Sequence, residues 1–473
     1  HQPTHGQLHF EVLMADDPVN SAPSAPSAPS APSVPALQVP TGTVPRVAKG
    51  GLSLPKASPS SPSGKLQLPG ASPSPGSGRL STSSWKGLRG SGLLLGGLGR
   101  SSFFAEKQAV VLCFGEAFTK VGLAGENRPR AIFRTPELRR RHLGSEVSTT
   151  LSHEEWVEVL SDLMNRIFFQ HLHLSPKDRR VVICDGISSS QQFRSALVFV
   201  LFKVFTVPSI CLVLELVLPL YLSGLHSGLV VDLGYSSCRV LPTFAGVPVL
   251  SALSDAPCGT KDVLQAIKEA LKTPTAGNEG KILEKLEDEA VLEDVLVCAC
   301  YVTCDFPEDG EHKAASLKTD KDAEVRLVGD DRAVKVPAAC RHSVTEVFFE
   351  RSAESYHSCS CDTIPEAVVR TLELCPMDIR AQLVQNVVIC GGAAMLRGLL
   401  PRLAQEMQKS LKQHKALAAL ASKLQITPLD FAPICASWTG GAIFGSLEGI
   451  PEYSAEDFKK GEPLPDWLRN GFV

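Results

Sequence analysis

The stretch Gly228–Leu250, GLVVDLGYSSCRVLPTFAGVPVL, reads as strand, tight turn, strand and a third short strand. Leu229 to Val231 form an apolar run that ends at Asp232, Gly234 follows, and Cys238 to Leu241 start the return strand. A carboxylate at a strand end, followed by a turn of exposed backbone N–H groups, suits a metal and phosphates. Taken alone the pattern is weak, because Asp-x-Gly turns join many ordinary strands.

A second copy strengthens it. Ala109–Leu123, AVVLCFGEAFTKVGL, aligns with it when Gly115 is set against Gly234, placing Val110-Val111-Leu112 against Leu229-Val230-Val231. Two such hairpins about 120 residues apart imply two related domains facing one cleft. The alignment also shows a loss: Asp232 of the second copy corresponds to Cys113 of the first.

The 473 residues leave room for two or three domains. Net charge is −3, from 47 basic and 50 acidic residues, and gives no sign of a nucleic-acid partner. The balance is uneven: residues 1–105 hold 8 basic and 3 acidic residues, leaving 39 against 47. All 14 cysteines lie at or after Cys113. No signal peptide is evident, so the expectation is reduced thiols in an intracellular protein. Cys298, Cys300 and Cys304 lack a matching second pair for a metal cluster. They read more simply as buried thiols at a helix-to-strand junction.

Residues 1–105, with the repeat SAPSAPSAPSAPS at Ser21–Ser33, are expected to be a disordered extension, since such composition cannot offset its ordering entropy. The chain begins at His1, which suggests a fragment or an imperfect gene model. Order is expected from about Lys107. Ser152 and Glu155 have capping-box spacing ahead of a helix with Trp156, Leu160, Leu163, Met164, Ile167 and Phe168 on one face. Gln191–Gly224 is apolar enough to resemble a membrane span, but Arg194, Lys203, Pro208, Glu215 and Pro219 argue for a buried helix, strand and helix (192–205, 209–214, 215–223). Thr260 is expected to cap a helix, and Lys281–Val297 to form one charged, solvated helix. Glu324–Val336 reads as a hairpin around Gly329-Asp330-Asp331, and Glu354–Asp362 as a polar insertion. The strand Asn386–Cys390 runs into Gly391-Gly392 and then a helix near 399–412, a place where backbone can approach a nucleotide closely. Trp438–Leu447 gives a Gly-rich helix.

These segments together resemble the actin family. KVGLAGENRPRAIF (Lys120–Phe133), GLVVDLGYSSCRVLP, CYVTCDF (Cys300–Phe306), DIRAQLVQNVVICGGAAMLRGLLPRL (Asp378–Leu403) and SWTGGAIFGSL (Ser437–Leu447) match in order and spacing over about 106–465. The resemblance implies the α/β fold of actin, hexokinase and the heat-shock ATPases. It implies two domains, 106–223 with 432–473 and 224–431, around a nucleotide cleft. Only about 134–151, including Arg139-Arg140-Arg141, fill the place of a larger actin subdomain, which implies a reduced pointed-end subdomain. Glu116–Lys120, DRRVVI near Arg180 and Pro465-Asp466-Trp467 look like the pointed-end actin-related branch of dynactin. That branch implies cytoplasmic, cytoskeletal location. It also implies as partners the filament-forming actin-related subunit and other pointed-end subunits, without nucleic acid and without membrane insertion.

In this fold ATP–Mg²⁺ lies between the hairpins, and phosphoryl transfer depends on positioning and electrostatics. The resemblance assigns Gly115, Lys120, Asp232, Gly234, Gly391 and Gly392 to the nucleotide. Several positions depart from the family. Cys113 replaces a metal-organising Asp, and a thiol suits Mg²⁺ poorly. Glu116 replaces a Ser and repels phosphate if it points inward. Tyr235 and Ser236 replace an acidic residue and a glycine. Arg239 stands in place of a His, and Glu215 in place of a Gln that positions water. Glu215 reads either as a general base or, more simply, as a helix-start glutamate without a catalytic role. The expectation is a non-catalytic protein with a degenerate site, holding ATP or ADP with Mg²⁺ weakly or structurally if at all. The alternatives are a working actin-fold ATPase and a nuclear actin-related subunit of a chromatin remodeller.

Overall fold

Each half of the chain is built on a strand that is apolar on both faces. Val110–Phe114 (β1) pairs antiparallel with Phe118–Leu123 (β2), which pairs antiparallel with Ala131–Arg134 (β3). On its other side β1 runs parallel to Val181–Asp185 (β4), and β4 runs parallel to Ser209–Leu214 (β5). The second half repeats the plan. Gly228–Leu233 (β6) pairs antiparallel with Cys238–Phe244 (β7), which carries Val247–Pro248 (β8) and Ser254–Ala256 (β9) on its far edge. After the separate antiparallel pair Ala323–Arg326 (β10) and Ala333–Val336 (β11), Val387–Cys390 (β12) joins β6 in parallel, followed by Ile426–Thr427 (β13). Tyr453–Ser454 (β14) closes the edge of the first sheet against β5. The two sheets therefore share one unit: a hairpin whose first strand has a parallel neighbour. The duplicated hairpin was the correct guide to an α/β architecture.

This computed structural model describes residues 107–135, 151–187, 189–304, 321–327, 332–350 and 363–464. The extension 1–105, the Arg139-Arg140-Arg141 loop, Asp305-Phe306, the Gly329-Asp330-Asp331 turn, the Glu354–Asp362 insertion and Pro465-Asp466-Trp467 lie outside the described residues. Among the described residues, no helix is long and apolar enough to cross a membrane.

Helices cover both faces of each sheet, as parallel strands require. His153–Asn165 (α1) starts with the expected capping box. The Glu155 N–H donates to Ser152 Oγ at 3.3 Å, and the Ser152 N–H donates to Glu155 Oε2 at 2.9 Å. Its Trp156, Leu160, Leu163 and Met164 are buried. The apolar stretch resolves into Gln191–Phe199 (α2), β5 and Leu218–Leu222 (α3), with Phe193, Leu197 and Leu201 in the core, so the buried reading stands.

Three expectations need correction. Thr260 is the first residue of the helix Thr260–Lys272 (α4), not its cap. Gly259 is the cap, and its N–H donates to Asp262 Oδ2 at 2.8 Å. Thr260 Oγ1 instead donates to the Gly234 carbonyl at 3.3 Å, tying α4 to the second turn. Lys281–Val297 is two helices, Lys281–Lys285 (α5) and Glu289–Ala299 (α6). Asp288 interrupts them because its side chain accepts the Ala290 N–H at 3.0 Å. Cys298 is exposed, only Cys300 of the three thiols is buried, and residues 301–304 form no strand. No group of residues able to hold a metal occurs among the described residues.

The Gly-rich helix Ala436–Phe444 (α7) fastens the late chain to the first sheet. Trp438 is fully buried, and its Nε1 donates to the Val111 carbonyl at 3.1 Å. A Cβ on Gly440 would lie 2.3 Å from the Leu218 carbonyl oxygen, and one on Gly441 would lie 2.5 Å from Cys184 Sγ. Backbone on backbone has no slack. Gly440→Ala is therefore expected to destabilise the protein by about 1–3 kcal/mol, read as a lower urea midpoint with unchanged m-value.

Candidate functional site

The two hairpin turns face one cavity of about 400 Å³, with Gly391 and Gly392 along its side. All six residues assigned to the site line it: Gly115, Lys120, Asp232, Gly234, Gly391 and Gly392. Gly391 has φ +95°, and a Cβ there would lie 2.3 Å from the Leu233 carbonyl oxygen. Only glycine lets β12 end against β6 this closely.

Strand register sets the polar groups in two matching rows. In the first sheet Lys120, Cys113 and Cys184 stand side by side on β2, β1 and β4. In the second, Arg239, Asp232 and Cys390 stand side by side on β7, β6 and β12. Lys120 and Arg239 thus occupy the same place in the two copies, as do Cys113 and Asp232. The hairpin alignment already held this correspondence, since Arg239 follows Asp232 at the interval by which Lys120 follows Cys113.

The buried charges answer one another. Arg239 Nη2 lies 2.9 Å from Asp232 Oδ2, and the Cys390 thiol donates to Asp232 Oδ1 at 3.8 Å. Burial opposes the charge on Arg239, but Asp232, Glu215 and Glu116 outweigh it and hold the guanidinium above its ordinary pKa. Burial likewise opposes the charge on Lys120, and Cys113, Cys435, Glu215 and Asp232 more than offset it. Glu215 is pushed above the usual carboxylate range by burial, with Asp232 adding to the shift while Arg239 and Lys120 act against it. Its Oε1 accepts the Cys113 thiol at 3.7 Å. The Cys184 thiol is raised well above its ordinary value by its bond to Cys113 and by burial, so it stays protonated. Glu116 points inward: its Oε2 accepts the Ser236 N–H at 3.1 Å, joining the turn of the first hairpin to the turn of the second.

Sequence reasoning missed the wall opposite the turns. Glu293, Asp294, Leu296 and Val297 of α6 line the cavity, and Asp294 is buried, so this helix is more than a solvated face. Arg134 pairs with Glu293 and fixes the end of β3 against α6. The DRRVVI residues have structural work: Arg180 pairs with Glu452 and donates to the Gly445 carbonyl at 3.0 Å, and Asp178 pairs with Lys107 at 2.7 Å.

Two hairpin-bearing sheets around a shared cleft define a protein of the actin, hexokinase and heat-shock ATPase class. A family model described as Actin matches residues 104–454, and the chain belongs to the actin family. It is similar to Actin-like protein 7A of Macaca fascicularis and of Homo sapiens. Each is 24% identical over 391 residues, covering 76% of this chain and 83% of the relative.

This family's cleft is of the nucleotide-binding type, but its phosphate end here does not suit a magnesium triphosphate. Both oxygens of Asp232 are engaged, by Arg239 and Cys390. The matching carboxylate is replaced by the Cys113 thiol, a soft group for a hard cation. One turn amide already serves the Glu116 carboxylate.

A pH test reads Glu215 directly. Its folded pKa is raised, so its favourable contribution is complete below about 4.3, the ordinary carboxylate value. That contribution is lost as pH rises through the raised folded value. The stability of wild type relative to Glu215→Gln is expected to fall as pH increases over this window, measured by urea denaturation at each pH.

Proposed function

We propose that this actin-family protein is a non-catalytic assembly subunit. The observation that carries the reading is the Asp232–Arg239 pair at 2.9 Å. The carboxylate that would organise a metal's water shell is neutralised by a guanidinium, which is always charged. Glu215 is the remaining candidate base, and its raised pKa and bond to the Cys113 thiol favour the bland structural role. Incubation of the purified chain with ATP–Mg²⁺ is expected to give no steady phosphate release. Release that is abolished by Asp232→Ala would overturn the reading.

Within the family, we propose that the chain acts as the pointed-end capping subunit of the dynactin minifilament, supporting dynein-based transport in the cytoplasm. The support is the sequence resemblance at Glu116–Lys120, near Arg180 and at Pro465-Asp466-Trp467. The chain between β3 and α1 is also short, residues 135–152. A subunit that keeps one filament-facing end and lacks a long loop at the other can end a filament without extending it. Affinity capture of the tagged chain, read by mass spectrometry, is expected to recover the filament-forming actin-related subunit with other pointed-end subunits. Recovery of chromatin-remodelling subunits instead would replace this assignment by the nuclear alternative.

A further inference from the structure

Two contacts in the cleft join groups that a nucleotide and its metal would otherwise join. A turn of successive N–H groups attracts an anion, and the Ser236 N–H of the second turn donates to Glu116 on the first, 120 residues away in sequence. A carboxylate at a buried strand end needs a cation, and Asp232 has the Arg239 guanidinium of its own hairpin. We propose that the cleft is closed by its own side chains: Glu116 takes the place of the anion, Arg239 takes the place of the divalent cation, and the two halves stay joined without nucleotide or metal.

The geometry supports both substitutions at once. Glu116 belongs to the first sheet's hairpin and Ser236 to the second's, so their bond spans the cleft. Arg239 belongs to the second sheet, yet its charge is held by Glu215 and Glu116 of the first as well as by Asp232. Lys120 reaches back in the same way, its charge supported by Cys113, Cys435 and Glu215 of its own half and by Asp232 of the other. Groups of the two halves therefore act on one another's charges within the cleft. An incoming polyphosphate would have to displace Glu116 and then face that carboxylate. An incoming Mg²⁺ would have to displace Arg239. The subunit's shape is then indifferent to whether ATP or ADP is present, which suits a permanent part of an assembly. This inference rests on the non-catalytic reading and is independent of the partner assignment.

The test is thermal unfolding of the full chain, with chemical rescue. Wild type is expected to show the same Tm in EDTA, in millimolar Mg²⁺–ATP and in millimolar Mg²⁺–ADP. Glu116→Ser removes the internal anion and opens the Ser236 amide. Its Tm is expected to fall by about 2–4 °C and to recover saturably on adding inorganic phosphate, to which wild type does not respond. Glu116→Gln keeps an acceptor in place and is expected to lose less and to ignore phosphate. Arg239→Ala is expected to become responsive to Mg²⁺ alone. Should that variant fail to fold, the partly exposed turn residue Glu116 still decides the matter. A Glu116→Ser protein as indifferent to phosphate as wild type overturns the proposal, and so does a saturable rise in wild-type Tm with Mg²⁺–ATP. Wild type that binds nucleotide without phosphate release defeats this inference alone. Phosphate release defeats the non-catalytic reading too.

Discussion

A charge buried at a strand end must find a partner, and that constraint governs this cleft. The parallel and antiparallel pairings of β1 and β6 place ionisable residues at the inner ends of two apolar strands, away from bulk water. Removing a carboxylate or a guanidinium from water is costly unless an opposite charge and hydrogen bonds compensate. In many clefts of this architecture a bound ion supplies the compensation. Here the chain supplies it: Arg239 answers Asp232, while Cys113, Cys435, Glu215 and Asp232 together hold the charge on Lys120. Because these partners come from both sheets, the electrostatic solution also joins the two halves.

The loss at Cys113 becomes intelligible in that setting. In the second copy the aligned pair is Asp232 with Arg239; in the first it is Cys113 with Lys120. The first pair therefore lacks a carboxylate, and Lys120 is supported by Cys435, Glu215 and Asp232 in addition to Cys113. Glu215 lies close enough to accept the Cys113 thiol and contributes part of that support, although burial pushes it towards the protonated form. The two halves share a backbone plan but not a charge plan, and the asymmetry couples them.

Much of this was legible in the sequence. The hairpins showed themselves through matching apolar runs and glycines, and the six assigned residues all reach the cavity. Gly391 was legible because only a residue without Cβ can pass so near the Leu233 carbonyl. Other features were hidden for physical reasons. Glu293 and Asp294 sit on a helix whose charge pattern looks solvated, and nothing local shows that one face closes a cleft made by distant strands. Thr260 resembles a cap by residue type, but Gly259 and Asp262 complete the cap while the Thr260 hydroxyl serves the Gly234 carbonyl. The direction of Glu116 depended on an amide 120 residues away. Periodicity reports which face is buried, not what lies opposite it.

Losing a ligand group is not the same as answering the charges it leaves behind. Loss of one carboxylate weakens a metal site but leaves its other half intact, and a bare Asp232 would still invite a cation. Arg239 removes that invitation by filling it, with Cys390 taking the second oxygen. Loss of a phosphate-binding hydroxyl likewise leaves turn amides exposed to any passing anion, whereas Glu116 engages one of them from within. A site emptied of catalytic groups remains a binding site in waiting. A site whose charges are answered internally draws its halves together through those same contacts. The retained glycines fit this view, since Gly234 and Gly391 are required by close backbone contacts to Ser237 and Leu233 whether or not a nucleotide is present.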